Sequence, residues 1–213
     1  ILVIGEGFSN VIKKFNPDYE VDFSPAFRFK HLWSGNNFDY DKNYYTILIG
    51  LPITFNDTIY IIDQIIDLLD YIDINSIRVW IKPHPTMAKN KIRNHYGNNW
   101  PFSFEFVETE TKELLRKCNI LISGMSSICL EAIALAIPVL VVEDPKRLQF
   151  NPIPKEVNNE LWKLCESKDD ITESIDYFKN RNDKLKEKHK ILSYEVRKMY
   201  FEPLSKEGIT KLL

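Results

Sequence analysis

The sequence predicts an α/β fold: a parallel sheet with helices on both faces and further helices at the C-terminus. Three observations carry this. Short apolar runs alternate with stretches of helical periodicity, the pattern of repeated β-α-β units. The runs are continuously apolar rather than alternating, as befits strands covered on both sides. Polar, chemistry-bearing residues directly follow the strands, where an open parallel sheet binds its ligands.

Taken in order, Ile1 to Ile4 reads as a strand, Gly5-Glu6-Gly7 as a turn, Phe8 to Phe15 as a helix and Tyr19 to Phe23 as a second short strand. Ser24 to Lys42 is polar, aromatic and irregular, as a linker is. This divides the chain into residues 1–43, the end of a preceding domain with its linker, and residues 44–213, a sheet domain with C-terminal helices. Tyr44 to Leu51 is a buried strand that Pro52 ends, because proline has no N–H for the ladder. Asn56 or Asp57 caps a helix from Thr58 to Ile72, where Ile61, Ile62, Ile65, Ile66, Leu68 and Leu69 recur at helical spacing.

Ile77 to Ile81 is a strand, Met87 to Tyr96 a weak helix and Phe102 to Val107 a strand. Thr109 or Thr111 starts a helix that runs to Arg116. Asn119 to Ile122 is a strand, Ser126 to Leu135 a helix and Val139 to Glu143 a strand. Beyond these, Asp144 to Pro154 reads as a loop and Asn158 to Cys165 as a short helix. Asp169 to Tyr200 is charged and helix-favouring, with a partial apolar stripe (Ile171, Ile175, Phe178, Leu185, Leu192, Val196) that packs terminal helices on the sheet's outer face.

The 213 residues suffice for one large domain or one and a half small ones, and 44% hydrophobic with 27% charged residues is a globular composition. The formal net charge of -2 is not that of a nucleic-acid binder. No nucleic-acid partner is expected, and an anionic ligand would be held by a local site. Cys118, Cys129 and Cys165 are unpatterned and read as buried free thiols of a reducing compartment. No CxxC pair occurs, so no metal is expected. The longest apolar run, Ala132 to Val142, is too short to span a bilayer and contains Pro138; membrane contact would be peripheral. The start at Ile1, inside an apparent strand, is expected of a fragment.

Two segments offer chemistry. Lys82-Pro83-His84-Pro85 places a cation and an imidazole directly after a strand, in a loop stiffened by two proline rings. A rigidly aimed imidazole can donate a proton near neutral pH; otherwise His84 is a loop histidine satisfied by a carbonyl. Ser126-Ser127 opens a helix, where a phosphate could take backbone amides and hydroxyls while Gly124 lets the backbone come close. Alternatively one serine merely caps that helix. Glu108 and Glu110 follow the Phe102 to Val107 strand, and a carboxylate there could accept ribose hydroxyls or could be a solvated charge at a helix start. Glu131, one turn into the Ser126 helix, has the same two readings. His31, His95 and His189 lie in polar contexts and read as surface residues. No GxxxxGK[ST] run is present, and Gly5-Glu6-Gly7 lacks the third glycine of GxGxxG, so kinase-like and dehydrogenase-like readings fall away.

In their order and spacing, Lys82-Pro83-His84-Pro85, the acidic strand end Glu108 to Glu110 and Ser126-Ser127 resemble the donor-binding half of GT-B-fold glycosyltransferases that use CMP-activated sugars. These include bacterial sialyltransferases, polysialyltransferases and capsule Kdo transferases. Ser123 to Val142, with Leu130-Glu131-Ala132 and Ile137-Pro138-Val139, is also similar to surface-carbohydrate synthesis proteins. The resemblance covers Tyr44 to Glu143.

It implies a Rossmann-like GT-B half in a metal-independent, inverting transferase. The partners implied are a nucleotide-sugar donor, a carbohydrate acceptor and an N-terminal GT-B half, in the cytoplasm or at the inner face of the membrane. By position, Lys82 and His84 would face the donor phosphate, and His84 would protonate or hydrogen-bond it. Ser126 and Ser127 would hold its oxygens, Glu108 or Glu110 the ribose, and Pro85 would shape the loop near the base. The catalytic base would come from the N-terminal half; nothing singles out Glu20 or Asp22. A polyol phosphotransferase using CDP-glycerol, a nucleotide-sugar epimerase and a non-catalytic nucleotide-binding module remain open alternatives.

Overall fold

The structure, a computed structural model, describes residues 1–35, 38–69 and 76–210. Its N-terminal stretch comprises β1 (Leu2–Val3), α1 (Glu6–Phe15) and β2 (Asp22–Phe23), with the strands parallel, and then a 3₁₀ helix, Phe27–Trp33, that kinks at Phe29. The sheet domain follows as β3 (Tyr45–Gly50), α2 (Phe55–Ile66), β4 (Ile77–Lys82), α3 (Lys89–Tyr96), β5 (Phe104–Phe106) and α4 (Thr111–Leu115). It continues with β6 (Ile120–Ser123), α5 (Ile128–Ala134), β7 (Val139–Val142), β8 (Trp162–Cys165), α6 (Lys168–Lys179), α7 (Asp183–Tyr200) and α8 (Lys206–Thr210).

Six strands form one sheet in the order β5-β4-β3-β6-β7-β8, every neighbouring pair parallel. The chain winds outward from β3 to β5, returns, and winds outward again from β6 to β8. This is the Rossmann order, and its topological switch point lies between β3 and β6. Register levels the strand ends there: Gly50 pairs with Lys82 on one side and with Ser123 on the other. The Ser123 hydroxyl donates to the Gly50 carbonyl at 2.5 Å, tying β6 to β3 behind the loops.

Both faces of the sheet are covered at β3, β6 and β7, which are buried along nearly their whole length; β4 departs from the expected continuous apolar run, alternating buried residues with the half-buried Arg78, Trp80 and Lys82. On one face Ile47, Ile49 and Ile81 meet Ile61, Ile62 and Ile65 of α2 and Ile171, Ile175 and Phe178 of α6. On the other, Leu48, Leu121 and Val139 meet Leu114, Leu115, Ile133, Val196 and Tyr200. Each fully buried Ile or Leu contributes about 1.5–3 kcal/mol by leaving water. All three cysteines are buried free thiols, and burial pushes each thiol up to about 12.

Several expectations are corrected. Asn158 to Cys165 is not a helix: Asn158 turns the chain and Trp162–Cys165 becomes the sixth strand, an edge strand whose half-exposed Lys163 and Leu164 conceal it from periodicity. Neither Asn56 nor Asp57 caps α2; Thr54 precedes the helix and its hydroxyl bonds the Asp57 carboxylate. The expected helix end at Ile72 lies outside the described residues. The Asp169 to Tyr200 stretch breaks at Asn182, whose side chain caps α7, and α6 and α7 pack into the two different cores rather than on one outer face.

Residues 24–35 are more than a tether. Leu32 is fully buried, Ala26 N–H donates to Glu202 O, and the Trp33 indole donates to Phe201 O at 3.0 Å. The N-terminal stretch also docks on α7. A Cβ at Gly7 would stand 2.3 Å from the Tyr200 ring, so only glycine permits this approach.

Candidate functional site

At the carboxyl ends of β3, β4, β5 and β6 the loops enclose a cleft of about 570 Å³. It is the crevice that the switch point creates. Lys82, His84 and Pro85 line it from the β4 loop, Glu108 and Glu110 from the β5 loop, and Ser126, Ser127 and Glu131 from the start of α5. Strand register thus brings together three segments that the sequence separates.

His84 is aimed by its own turn. Met87 N–H closes the turn onto His84 O at 2.8 Å. Thr86 N–H donates to His84 Nδ1 at 3.3 Å, and the Thr86 hydroxyl lies 2.8 Å from the same nitrogen. A backbone N–H can only donate, so Nδ1 is an acceptor and the neutral ring carries its proton on Nε2. Nε2 has no partner among the described residues. The expected alternative, an imidazole satisfied by a carbonyl, does not describe this ring.

The serines are likewise uncommitted. Ser127 precedes α5 in helical conformation and makes no side-chain cap, and neither serine hydroxyl has a partner among the described residues. Capping therefore does not account for them. Gly124 is placed elsewhere: it is not on the cleft wall, and a Cβ there would meet Ile61 Cδ1 at 3.2 Å. Its role is to let α2 close on β6.

Lys82 reaches along the cleft floor and donates to the carbonyls of Glu108, at 2.9 Å, and Thr109, at 2.8 Å. This locks the β5 loop to β4 and leaves one ammonium N–H for a ligand. Glu108 and Glu110 are exposed and each holds a lysine, Lys89 and Lys112 respectively. The hydrogen bond from that lysine, then its charge, keeps each carboxyl below its ordinary range.

Glu131 differs from both. Its side chain is 11% exposed, against 80% for Glu108 and 68% for Glu110, and its Oε1 lies 2.9 Å from His31 Nε2. His31, expected at the surface, is a cleft residue, and Arg28 and Phe29 of the same 3₁₀ helix also line the cleft. The only sequence signal for this wall is the interleaving of aromatic and basic residues in Phe27-Arg28-Phe29-Lys30-His31-Leu32-Trp33. No group of three or more His, Cys, Asp or Glu side chains that could hold a metal occurs among the described residues. No described helix is long and apolar enough to cross a membrane.

Neither a family model nor a curated protein matches the sequence. The fold, however, is shared with solved structures. A chain in the crystal structure of accessory secretory protein 1, 2 and 3 from Streptococcus pneumoniae matches 100% of this chain and 42% of its own length, with TM-score 0.62 and 13% identity. The wall teichoic acid polymerase TagF matches 99% of this chain and 56% of its own, with TM-score 0.59 and 11% identity. The C-terminal domain of the glycosyl transferase group 1 family protein LpcC from Francisella tularensis matches 82% of this chain and 93% of its own, with TM-score 0.51 and 18% identity. This chain spans 42% and 56% of the first two. At these identities the likeness is one of fold: the parallel six-stranded domain with its flanking helices has the fold of one GT-B half.

Proposed function

We propose that this chain is the donor-binding part of a glycosyltransferase of bacterial surface-polysaccharide assembly, and that its donor is a CMP-activated sugar of the sialic acid or Kdo kind. One observation carries the reading. The lysine, histidine and serine motifs converge on one cleft at the switch point, with the His84 Nε2 and both serine hydroxyls uncommitted. The fold likeness to a wall teichoic acid polymerase and to a glycosyltransferase C-terminal domain supports the class; the motif resemblance supports the CMP-sugar.

In this reading Ser126, Ser127 and the remaining Lys82 N–H hold the donor phosphate, and Pro85 shapes the loop beside the base. Glu108 or Glu110 takes the ribose hydroxyls. As the bond from the anomeric carbon to the phosphate oxygen breaks, the neutral His84 ring donates a hydrogen bond from its Nε2–H to the departing phosphate and keeps its proton. The acceptor's hydroxyl oxygen bonds the anomeric carbon from the opposite face, and its proton passes to a base on the N-terminal GT-B half. The protein lowers the barrier by stabilising charge on the leaving group, without a metal. The reaction belongs in the cytoplasm, where nucleotide sugars are made, at or near the membrane face that presents the acceptor.

The test is sugar transfer by the protein with its N-terminal half, supplied with CMP-sialic acid, CMP-Kdo or CDP-glycerol. A CMP-sugar should be used, and His84→Ala should lower turnover about 100-fold or more. Transfer unchanged in His84→Ala would refute the assignment. The TagF likeness favours one second reading, a polyol phosphotransferase, which use of CDP-glycerol alone would establish. Conversion of a nucleotide sugar without any acceptor would instead reveal an epimerase.

A further inference from the structure

Charge on the cleft wall is unevenly committed. The three carboxylates are all engaged: Glu108 by Lys89, Glu110 by Lys112 and Glu131 by His31. Lys112 is consumed in its pair. Lys82 keeps its full charge and one N–H, since its two partners are neutral carbonyls. Arg28 is the other uncommitted cation: it lines the cleft, and its guanidinium has no carboxylate or carbonyl partner among the described residues, only the face of Phe29 at 5.5 Å. A monoanionic group at Lys82 and the serines would leave Arg28 unanswered.

Arg28 is also held in place. Its neighbours fasten the 3₁₀ helix to the sheet domain at several points. His31 binds Glu131 on α5, Arg116 donates to His31 O at 3.1 Å, and the Trp33 indole donates to Phe201 O. The Phe29 ring packs on Phe201 at 4.8 Å. An exposed guanidinium on an anchored backbone is a preorganised fork for a carboxylate or phosphate.

Resting on the donor-site reading above, we infer that Arg28 is a specificity residue that binds a second anionic group of the donor, beyond the phosphate held at Ser126, Ser127 and Lys82. That group is either the carboxylate of an acidic sugar or the second phosphate of a diphosphate donor. Both present two coplanar or near-coplanar oxygens to the fork, and the experiment separates them.

The experiment is titration calorimetry of the whole chain with CMP, CDP and CMP-N-acetylneuraminate, on wild type, Arg28→Gln and Arg28→Lys. Circular dichroism serves as the check of folding. Arg28→Gln should weaken one doubly anionic ligand by roughly tenfold or more, the scale of a lost charge-assisted pair, while CMP changes by less than about twofold, as suits an exposed cation outside the first phosphate's contacts. Arg28→Lys should restore only part of the loss. A selective loss on CMP-N-acetylneuraminate identifies the carboxylate, and one on CDP the second phosphate. Wild-type binding with equal loss on all three ligands, or with no loss, overturns this inference and leaves the donor site standing. Wild type that binds none of the three overturns both.

Discussion

His31 Nε2 and Glu131 Oε1 lie 2.9 Å apart across a separation of 100 residues. The contact joins the 3₁₀ helix ahead of the sheet domain to the helix that carries the serine pair, and it does so inside the cleft. A carboxylate this buried needs a partner.

His31→Ala removes that partner and should destabilise the fold by about 1–3 kcal/mol, the scale for leaving a buried hydrogen-bonding group without its partner. His31→Gln keeps an N–H donor and should lose distinctly less. Urea unfolding at neutral pH measures both. Equal stability of wild type and His31→Ala would show that the pair does not fasten the segment.

Thr86 sets the His84 tautomer chiefly through its backbone. Thr86→Val removes the hydroxyl and leaves the N–H on Nδ1, so transfer should fall less than about tenfold, far short of the loss in His84→Ala. Steady-state kinetics on the transfer assay decide this. A Thr86→Val loss as large as that of His84→Ala would mean that the hydroxyl, not the backbone, orients the ring.

The end of α5 contains a local strain. Ala136 has φ 62°, while Ala136 N–H reaches Ile133 O at 2.9 Å and Ile137 N–H reaches Ala132 O at 3.0 Å, the Schellman arrangement that glycine suits best. Ala136→Gly should stabilise the protein by about 1 kcal/mol. A drop in the urea midpoint would contradict this.

Arg197 closes the same helix from α7. It is buried, and its Nε and Nη2 donate to Ala134 O at 3.1 and 2.9 Å. Arg197→Met preserves much of the volume but strands that carbonyl, at a cost of about 1–3 kcal/mol. Thermal unfolding measures it, and an unchanged melting temperature would count against a capping role.

His189 makes stability fall in acid. Its Nδ1 accepts from Arg181 at 2.9 Å, and its Nε2 is buried with no partner among the described residues. Burial first, then the Arg181 charge, press its pKa down to about 4, with Glu160 opposing and Lys188 and Lys163 adding slightly. The unfolded imidazole titrates near 6.5. The unfolded state therefore binds the extra proton between those values, and stability present above about pH 6.5 is lost as pH falls toward 4, by on the order of 3 kcal/mol. His189→Phe should flatten this slope in melting curves at pH 7 and pH 5. An unchanged slope would place the acid sensitivity elsewhere.

The sheet was legible because β3, β6 and β7 are apolar runs buried along nearly their whole length, while β4, with Arg78 and Trp80 half-buried, shows the alternation of a strand less covered on one face. β8 was not, because an edge strand with Lys163 on one side carries neither periodicity. Lys82, His84 and Ser126 were legible because strand ends are where an open sheet binds, and register then did the rest. Arg28 and His31 were not, because the interleaved aromatic and basic residues around them do not say where the segment docks, and the partner, Glu131, lies 100 residues along the chain. Glu108 and Glu110 were found, but the lysines that hold them come from neighbouring helices and could not be assigned from spacing. Gly124 stands beside the cleft residues in sequence, but the space where its Cβ would be is filled by Ile61 of α2, a packing neighbour that spacing does not reveal.

In the proposed function Ser126 and its neighbours hold a nucleotide phosphate. A thermal-shift titration with CMP, CDP, UDP, GDP and ADP, on wild type and Ser126→Ala, tests it most directly. CMP or CDP at about 100 times its dissociation constant should add roughly 2.7 kcal/mol to the wild type, and Ser126→Ala should abolish most of that gain. No shift with any nucleotide, or a shift that persists undiminished in Ser126→Ala, would contradict the claim.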